Sequence, residues 1–359
     1  MSRRLTGGYI AGVMALCGLC LPISVYLAAS DLMEQTAQNT DKPQDQSLQE
    51  RKQREEEQKA AIAELEKRGG RVEIDYAQRD IQPAPVVKVW LNRTTAGDDV
   101  WPYLTRFSHL KELDLSFSQV SDAGLSHLTH FPQLERLVLY RTPISDAAMA
   151  HIRSLEQLRH LALRNTAVTD AGIQQLAGHR ALESLDLSGT RVGDQACAAL
   201  TQLTALRRLD LSDSSISDRG ILQLSETLPL EELRLSRTAV TNACLSHIAK
   251  WKTLRVLELD NTHVSDEGVA TLVGLENLQR IDLHRTAVTD AGANSLSKLP
   301  ALVSLNVSYT NITDAGLEVL TNIPSLRRVD VIGTKVSAER LSQLKSKRPN
   351  LYVFSEWPR

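Results

Sequence analysis

Apolar residues recur along most of the chain with a period of 24 residues. From Leu158 to Leu176 the sequence follows the pattern LxxLxLxxT and then xVTDAGIxxL, and this pattern returns in both directions. A fixed period of this length predicts a solenoid, in which each repeat is one small unit that buries its apolar face only against its neighbours. The repeats begin at Val86, Leu110, Leu134, Leu158, Leu182, Leu206, Leu230, Leu254, Leu278, Leu302 and Leu326, and these residues define position one.

Each repeat reads as a strand, a turn and a short helix. Positions four and six are apolar in every copy and alternate with polar residues, which predicts a half-buried strand. Position nine is Thr or Ser, whose hydroxyl is expected to bond to the backbone of its own turn and of the next turn. Position twelve is mostly Ser or Thr and predicts a helix N-cap, with an Asp after it at the positive end of the helix. Position fifteen is mostly Gly or Ala, where the helix is expected to approach its neighbour closely.

The predicted fold class is therefore α/β, a solenoid or horseshoe of eleven 24-residue repeats. Like positions of successive strands are expected to lie about 4.8 Å apart in a parallel β-sheet on the concave face. The short helices are expected on the convex face.

These motifs resemble those of leucine-rich repeat proteins over residues 86–344. The 24-residue variety with Thr-Asp-Ala-Gly is similar to the repeats of F-box leucine-rich proteins and of the ribonuclease-inhibitor-like group. With its apolar N-terminal stretch and the Ala63-Glu-Leu-Glu-Lys-Arg-Gly-Gly segment, the chain most resembles bacterial, planctomycete-type membrane-anchored leucine-rich repeat proteins. The resemblance implies an α/β horseshoe that binds other proteins. No F-box-like helical domain precedes the repeats, which argues against a ubiquitin-ligase adaptor.

The first 29 residues favour a membrane anchor. Residues 9–29 are apolar and uncharged, and this is about the length that spans a bilayer as a helix. Arg3 and Arg4 precede this stretch and acidic residues follow it, so the N-terminus is expected in the cytoplasm and the repeats outside it, in the periplasm or cell envelope. The alternative is a signal sequence that is cleaved near Ala29, with secretion of the rest.

The remaining boundaries follow from composition. Residues 49–68 are helix-forming and end at Gly69-Gly70, and Arg71 to Tyr76 alternates as a strand does, so both are expected to cover the first repeat. The predicted domains are a cytoplasmic N-terminus (1–8), a transmembrane anchor or signal sequence (9–29), a flexible polar spacer (30–48), a helix–strand cap (49–85), the repeats (86–344) and a C-terminal cap (345–359).

Charge and motifs exclude several functions. The formal net charge of −2 gives no basic excess for binding nucleic acid. The sequence has no P-loop, GxSxG or HExxH motif, so we expect no enzyme, no cofactor and no metal site. Cys197 and Cys244 fall on core positions two repeats apart, beyond disulfide reach.

Outward-facing strand positions are the candidate site. Positions three, five, seven and eight are expected to carry a partner-binding surface of Arg and Tyr anchors, residues that are enriched at binding hot spots. The alternatives are a solvated surface of alternating, self-neutralising charge and a calcium site on the Asp row. The candidate partner-binding residues are Arg136, Tyr140, Arg141, His160, Arg164, Arg208, Arg234, Arg237, Asp260, His284, Arg285 and Tyr309.

The sequence thus predicts a membrane-anchored protein-binding module that presents its concave repeat surface to a protein or peptide partner outside the cytoplasm. The alternative hypothesis is a structural or self-associating envelope scaffold without a specific soluble ligand. Nothing in the sequence identifies the partner.

Overall fold

The structure is a computed structural model that describes residues 48–78 and 80–355. The chain divides into two compact units, Met1–Glu57 and Gln58–Arg359. In the first unit, the described residues 48–57 are helical, and Arg54 pairs with Glu50 one turn earlier at 3.6 Å. The second unit contains all of the sheet and is described below.

The described residues of the second unit form one sheet of 13 strands in chain order. β1 pairs antiparallel with β2, and every later pair is parallel with an offset of 24 residues, as between Leu161, Leu185 and Leu209. The strands are β1 Arg71–Ile74, β2 Val86–Trp90, β3 Glu112–Asp114, β4 Arg136–Val138, β5 His160–Ala162, β6 Ser184–Asp186, β7 Arg208–Asp210, β8 Glu232–Arg234, β9 Val256–Glu258, β10 Arg280–Asp282, β11 Ser304–Asn306, β12 Arg328–Asp330 and β13 Tyr352–Phe354.

Short helices connect the strands. Residues 58–67 are helical before β1. The later α-helices are Trp101–Leu104, Asp146–Ile152, Asp170–Gln174, Cys197–Leu200, Asp218–Ile221, Leu245–Ile248, Asp266–Thr271, Asp290–Leu296, Asp314–Thr321 and Ala338–Lys347. The 3-10 helices are Asp98–Val100, Gly124–His130, Asp194–Ala196, Asn242–Cys244 and Leu272–Gly274.

The core lies between the sheet and the helices and is continuous along the second unit. Residues at positions four and six, such as Leu185 and Leu187, have at most 3% of their surface exposed. Burying one leucine side chain contributes about 1.5–3 kcal/mol, and every repeat supplies several. The predicted α/β solenoid is confirmed, whereas its repeat count and the domain boundaries stay predictions.

The ends of this core are covered differently. Before β1, Ala61 and Leu65 are buried in the core, and the Gly70 N–H donates to the Leu65 carbonyl at 2.9 Å. At the other end, β13 extends the parallel sheet, and the Arg348 guanidinium donates to the carbonyls of Thr321, Ile323 and Leu326. Both ends therefore satisfy groups that a bare terminal repeat leaves open.

An Asp ladder joins the repeats beside the helix starts. The carboxylate at position thirteen accepts from the backbone N–H and the hydroxyl of position twelve in the next repeat, as Asp266 does from Thr289 at 2.8 and 2.6 Å. The same Thr289 hydroxyl caps its own helix by accepting from the Ala291 N–H, as predicted. The ladder consists of Asp98, Asp122, Asp146, Asp170, Asp194, Asp218, Asn242, Asp266, Asp290 and Asp314.

The predicted localisation is wrong for the part of the chain that the structure describes. A single-pass membrane protein needs a long apolar helix, and no helix within residues 48–78 and 80–355 is long and apolar enough to cross a bilayer. The helices between the strands are short because each ends where the chain returns to the sheet. The segment from which the anchor was predicted, residues 9–29, lies outside the described residues.

Candidate protein-binding surface

The strand face is the outer face of the sheet and carries positions three, five, seven and eight. Position eight has a positive φ of 52–66° in every repeat, because it is the third residue of a tight turn that ends each strand. The turn closes by a bond from the position-nine N–H to the position-six carbonyl, as from Thr166 to Leu163 at 3.2 Å. The position-nine hydroxyl donates to the same carbonyl, at 2.6 Å for Thr166, in every repeat except that of Ser118, and this confirms the predicted bond within the turn.

An aromatic–arginine cluster occupies the turns after β3 and β4. The Phe117 and Tyr140 rings meet edge to face, with centroids 4.7 Å apart. Arg141 lies over both rings, at 5.7 Å from the Phe117 centroid and 5.6 Å from that of Tyr140. Arg93 and Arg164 extend the cluster on either side, at 5.2 and 5.4 Å from the nearer ring. Cation–π contacts hold these guanidinium groups while their N–H edges can still bind a ligand.

A pocket of about 400 Å³ opens on the strand face between β4 and β8. Neighbouring strands place Arg136, His160, Ser184 and Arg208 in one row at position three. Position five on β4 and β5 carries the small apolar side chains of Val138 and Ala162, which also line the pocket. The remaining lining residues are Leu137, Leu161, Leu185, Asp186, Leu209, Asp210, Glu232 and Arg234.

The two position-three arginines of this pocket have no carboxylate partner among the described residues. The polar contact of Arg208 is to the ring of His160, at 3.4 Å from Nη2 to Nδ1. Burial, followed by the charges of Arg208 and Arg136, lowers the pKa of His160. An arginine has only donors, so Nδ1 of a neutral His160 accepts this bond and Nε2 carries the ring proton.

The strand face from β6 to β10 is rich in carboxylates, and several arginines are held among them by ion pairs. Arg234 pairs with Asp210 at 3.7 Å, with Glu258 at 3.3 Å and with Glu232 on its own strand. Bonding to these groups offsets the desolvation of Arg234 and raises its pKa. Asp186 and Asp210 carry like charges and lie in register on neighbouring strands, and Arg234 forms its ion pair with Asp210.

Arg237 is held in the same way at position eight. It pairs with Asp213 at 2.5 Å and with Asp260 at 3.6 Å. The bond to Asp213 is the largest cause that raises the pKa of Arg237. Both Arg234 and Arg237 are therefore paired with carboxylates within the chain.

Several carboxylates in this acidic region have a raised pKa, so their ionisation costs additional free energy. Burial is the main cause that raises the pKa of Asp186, Glu258 and Asp282. Nearby carboxylates raise it further, Asp210 acting on Asp186 and Asp260 on Asp282. In the same region, charge alternates between strands at position five, from Asp210 to Arg234 to Glu258.

A smaller aromatic group lies towards the C-terminal end. The His284 and Tyr309 rings meet edge to face with centroids 5.2 Å apart, and Arg285 lies 5.0 Å from the Tyr309 centroid. Tyr309 is 41% exposed. This group is separated by β6 to β9 from the aromatic–arginine cluster, so one small partner cannot contact both.

The twelve predicted residues all lie on the strand face, but in four separate groups. His160, Arg136 and Arg208 line the pocket; Tyr140, Arg141 and Arg164 belong to the aromatic–arginine cluster; Arg234, Arg237 and Asp260 are in ion pairs; His284, Arg285 and Tyr309 form the last group. Sequence reasoning missed Phe117, Arg93, Val138 and Ala162. Aligning positions five and eight in the first repeats supplies the signal for all four.

The fold and this surface define a class, the solenoid proteins with a parallel sheet exposed on one face. Family models described as "Leucine rich repeat" match residues 252–312 and residues 108–128, 179–200 and 202–225. The chain is a leucine-rich repeat protein. No curated protein matches the chain significantly.

Solved structures share the fold. An internalin (inlF) from Listeria monocytogenes aligns with a TM-score of 0.54 and 17% identity, over 78% of this chain and 92% of that chain. The mouse RP105/MD-1 complex aligns with a TM-score of 0.50 and 20% identity, over 68% of this chain and 46% of that chain. At this identity the likeness shows the fold alone. The leucine-rich repeat fold suggests a protein-binding module, and the matching family models indicate no enzyme family.

Proposed function

We propose that the protein is a binding module that docks a protein or peptide partner on its strand face, centred on β3 to β7. The observation that carries the proposal is the pairing pattern of the arginines. Those of β8 and its turn are paired with carboxylates, whereas Arg136 and Arg208 have no carboxylate partner among the described residues. Tyr140 and the arginines around it add the residue types that dominate binding energy at interfaces.

The same surface is suited to association for a second reason. Arg141 and Arg164 are already positioned over aromatic rings, so little side-chain freedom is lost when a partner binds. The mouse structure with a similar fold is itself a complex, of RP105 with MD-1. Binding of a protein partner by this chain is consistent with that use of the fold.

Site-directed photocrosslinking tests the proposal. A photoreactive amino acid is placed at Tyr140 on the strand face or, as the control, at Leu222, which lies on the helix side and is 49% exposed. We expect one defined adduct from position 140 and none from position 222. The adduct should disappear when Arg164→Glu is added and persist with Arg219→Glu, a change on an exposed helix residue.

Adducts that form equally from both positions, or that persist in the Arg164→Glu variant, would contradict strand-face docking. A chain that crosslinks only to copies of itself would favour the alternative hypothesis, a structural or self-associating scaffold. Analytical ultracentrifugation of the same preparations distinguishes self-association from capture of a second protein.

A further inference from the structure

The arginines of the strand-face pocket have more donors than the chain uses. Arg136 on β4 and Arg208 on β7 lie on either side of His160 on β5, with Ser184 of β6 between His160 and Arg208. The one bond among the three runs from Arg208 to His160 Nδ1. A row of cations without a counterion gains free energy by binding an anion, since charge-assisted bonds are the stronger ones.

The carboxylates that line the same pocket are bound to groups other than Arg136 and Arg208. Asp186 Oδ1 accepts from the backbone N–H and the hydroxyl of Ser188 at 2.9 and 2.6 Å, so this carboxylate bonds towards the turn at the end of β6. Asp210 accepts from the Ser212 N–H and pairs with Arg234. Glu232 also pairs with Arg234. The free donors therefore lie on the side of β4 to β7 that carries position three.

We propose that this pocket receives the carboxylate of a glutamate or aspartate side chain from an acidic segment of the partner protein. Arg136 and Arg208 bind the carboxylate oxygens, and the Nε2–H of neutral His160 is a third donor. The aliphatic stem of the incoming side chain packs on Val138 and Ala162. This inference rests on the proposed function, because it names the chemistry of the partner that the strand face docks.

A carboxylate fits this pocket better than a phosphate group. The walls also carry Asp186, Asp210 and Glu232, and a phosphate with nearly two charges meets about twice the repulsion from them. The small apolar side chains at position five suit a methylene stem rather than a group that is polar throughout. Charge and shape therefore favour the singly charged, partly apolar ligand.

Binding to the full-length chain is measured with a short oligoglutamate peptide, blocked at both ends, at low ionic strength. Matched oligoglutamine, oligolysine and phosphoserine-containing peptides are the comparison ligands. We expect oligoglutamate alone to bind well, and each of Arg136→Gln and Arg208→Gln to weaken it by at least about tenfold. Arg219→Gln, on the helix side, is the control and should leave the dissociation constant unchanged.

His160 provides a readout that a nonspecific charge effect does not move. Its imidazole resonance, assigned with the His160→Gln variant, should titrate at higher pH when oligoglutamate is bound. The bound carboxylate acts on His160 in the same direction as Glu183 and Glu112, which raise its pKa, and against Arg136 and Arg208, which lower it. The Ala162→Glu variant places a carboxylate in the pocket from within and should block the peptide while the chain stays folded.

Equal binding of oligoglutamate to the wild-type and Arg136→Gln proteins would overturn the inference, and so would an unmoved His160 titration. Tighter binding of the phosphoserine peptide through the same arginines would overturn the choice of a carboxylate. Each of these outcomes leaves strand-face docking intact if the adduct from position 140 still forms. If adducts form equally from positions 140 and 222, by contrast, the proposed function itself fails.

Discussion

At the scale of single residues, the Asp at position thirteen has a larger role than its sequence context predicts. The pattern Ser/Thr-Asp predicts a capped helix with a favourable charge at its start. The carboxylate also spans to the next repeat and satisfies two donors there, as Asp290 does for Thr313. This second role explains position fifteen, because a Cβ on Gly316 would lie 2.1 Å from Asp290 Oδ1.

Replacing Asp290 with Ala tests the ladder. Asp290→Ala leaves the Thr313 N–H and hydroxyl without their acceptor and should lower the free energy of unfolding by about 1–3 kcal/mol. Asp290→Asn should cost less, because Asn242 occupies the same position and accepts from the Ser265 N–H at 2.8 Å. Urea unfolding measures both, with Glu276→Ala as an exposed control. Equal losses for the Ala and Asn variants would contradict the assigned role.

Buried carboxylates on the strand face affect stability in a pH-dependent way. The folded-state pKa of Asp282 is raised, mainly by burial, above the unfolded value of about 3.9. Its ionised form therefore opposes folding, and this cost grows as the pH rises through the folded pKa. Asn306 holds the same position in the next repeat, where its Oδ1 accepts from the Ser308 N–H at 3.0 Å, so an amide fits.

We therefore expect Asp282→Asn to raise the urea midpoint at pH 7. The gain should shrink as the pH is lowered through the folded pKa and vanish below about pH 3.9, where both proteins carry a neutral side chain. The pKa of Asp314 is shifted in the opposite direction, because hydrogen bonds from Ser337 lower it. An Asp314→Asn variant should therefore lose stability at pH 7. An Asp282→Asn gain that is independent of pH would contradict the assignment.

At the scale of elements, the strands, the turns and the helix starts were predictable, but the positive φ at position eight of each turn was not. Strict alternation at positions four and six, as in Leu185 and Leu187, predicts the strand because only one face can be buried. Position eight holds Arg, Phe, Tyr, Asn, Asp and Gly, and this mixture conceals a constant backbone conformation. The recurrent Gly189, Gly333 and Asn residues at that position were the available signal.

Two glycines with positive φ allow the cost of backbone strain to be measured apart from the cost of a steric clash. Gly189 and Gly178 have φ of +66° and +85°, so an Ala at either should cost about 1–2 kcal/mol. A Cβ at Gly189 would also lie 2.3 Å from Asn165 Oδ1, whereas one at Gly178 has nothing within 4 Å. Gly189→Ala should therefore lower the thermal midpoint more than Gly178→Ala. The reverse order would show that position eight has no tight packing.

At the scale of the whole molecule, sequence predicted which face carries the candidate site but not how its charges are grouped. The 24-residue period places positions three and five of every repeat on one surface. Whether an arginine is free depends on carboxylates at the same position of the neighbouring strands, 24 residues away in sequence, as for Arg234 with Asp210 and Glu258. Arg136 has the same residue type and face, but its neighbours in register are His160 and Glu112, and Glu112 pairs with Lys88 at 3.3 Å. Charge alone therefore did not distinguish a structural arginine from one available to a partner.

Deleting whole repeats tests the solenoid and the site together. Removal of residues 278–301 preserves the register, since Asp266 then meets Thr313 as it now meets Thr289. Removal of residues 158–181 also preserves the register, since Asp146 then meets the Gly193 N–H as it now meets the Thr169 N–H. This deletion takes away His160 and Arg164. Both shortened chains should unfold cooperatively with a lower midpoint, because each loses one layer of core.

The two deletions should differ in binding. The chain that lacks residues 278–301 keeps β3 to β9 and should bind oligoglutamate with unchanged affinity, whereas the chain that lacks residues 158–181 should lose at least about tenfold. Equal length and equal loss of core make each deletion the control for the other. Equal affinity in both chains would mean that binding is not centred on β4 to β7. Failure of both to fold, while a deletion out of phase with the 24-residue period folds, would contradict the stacking of equivalent layers.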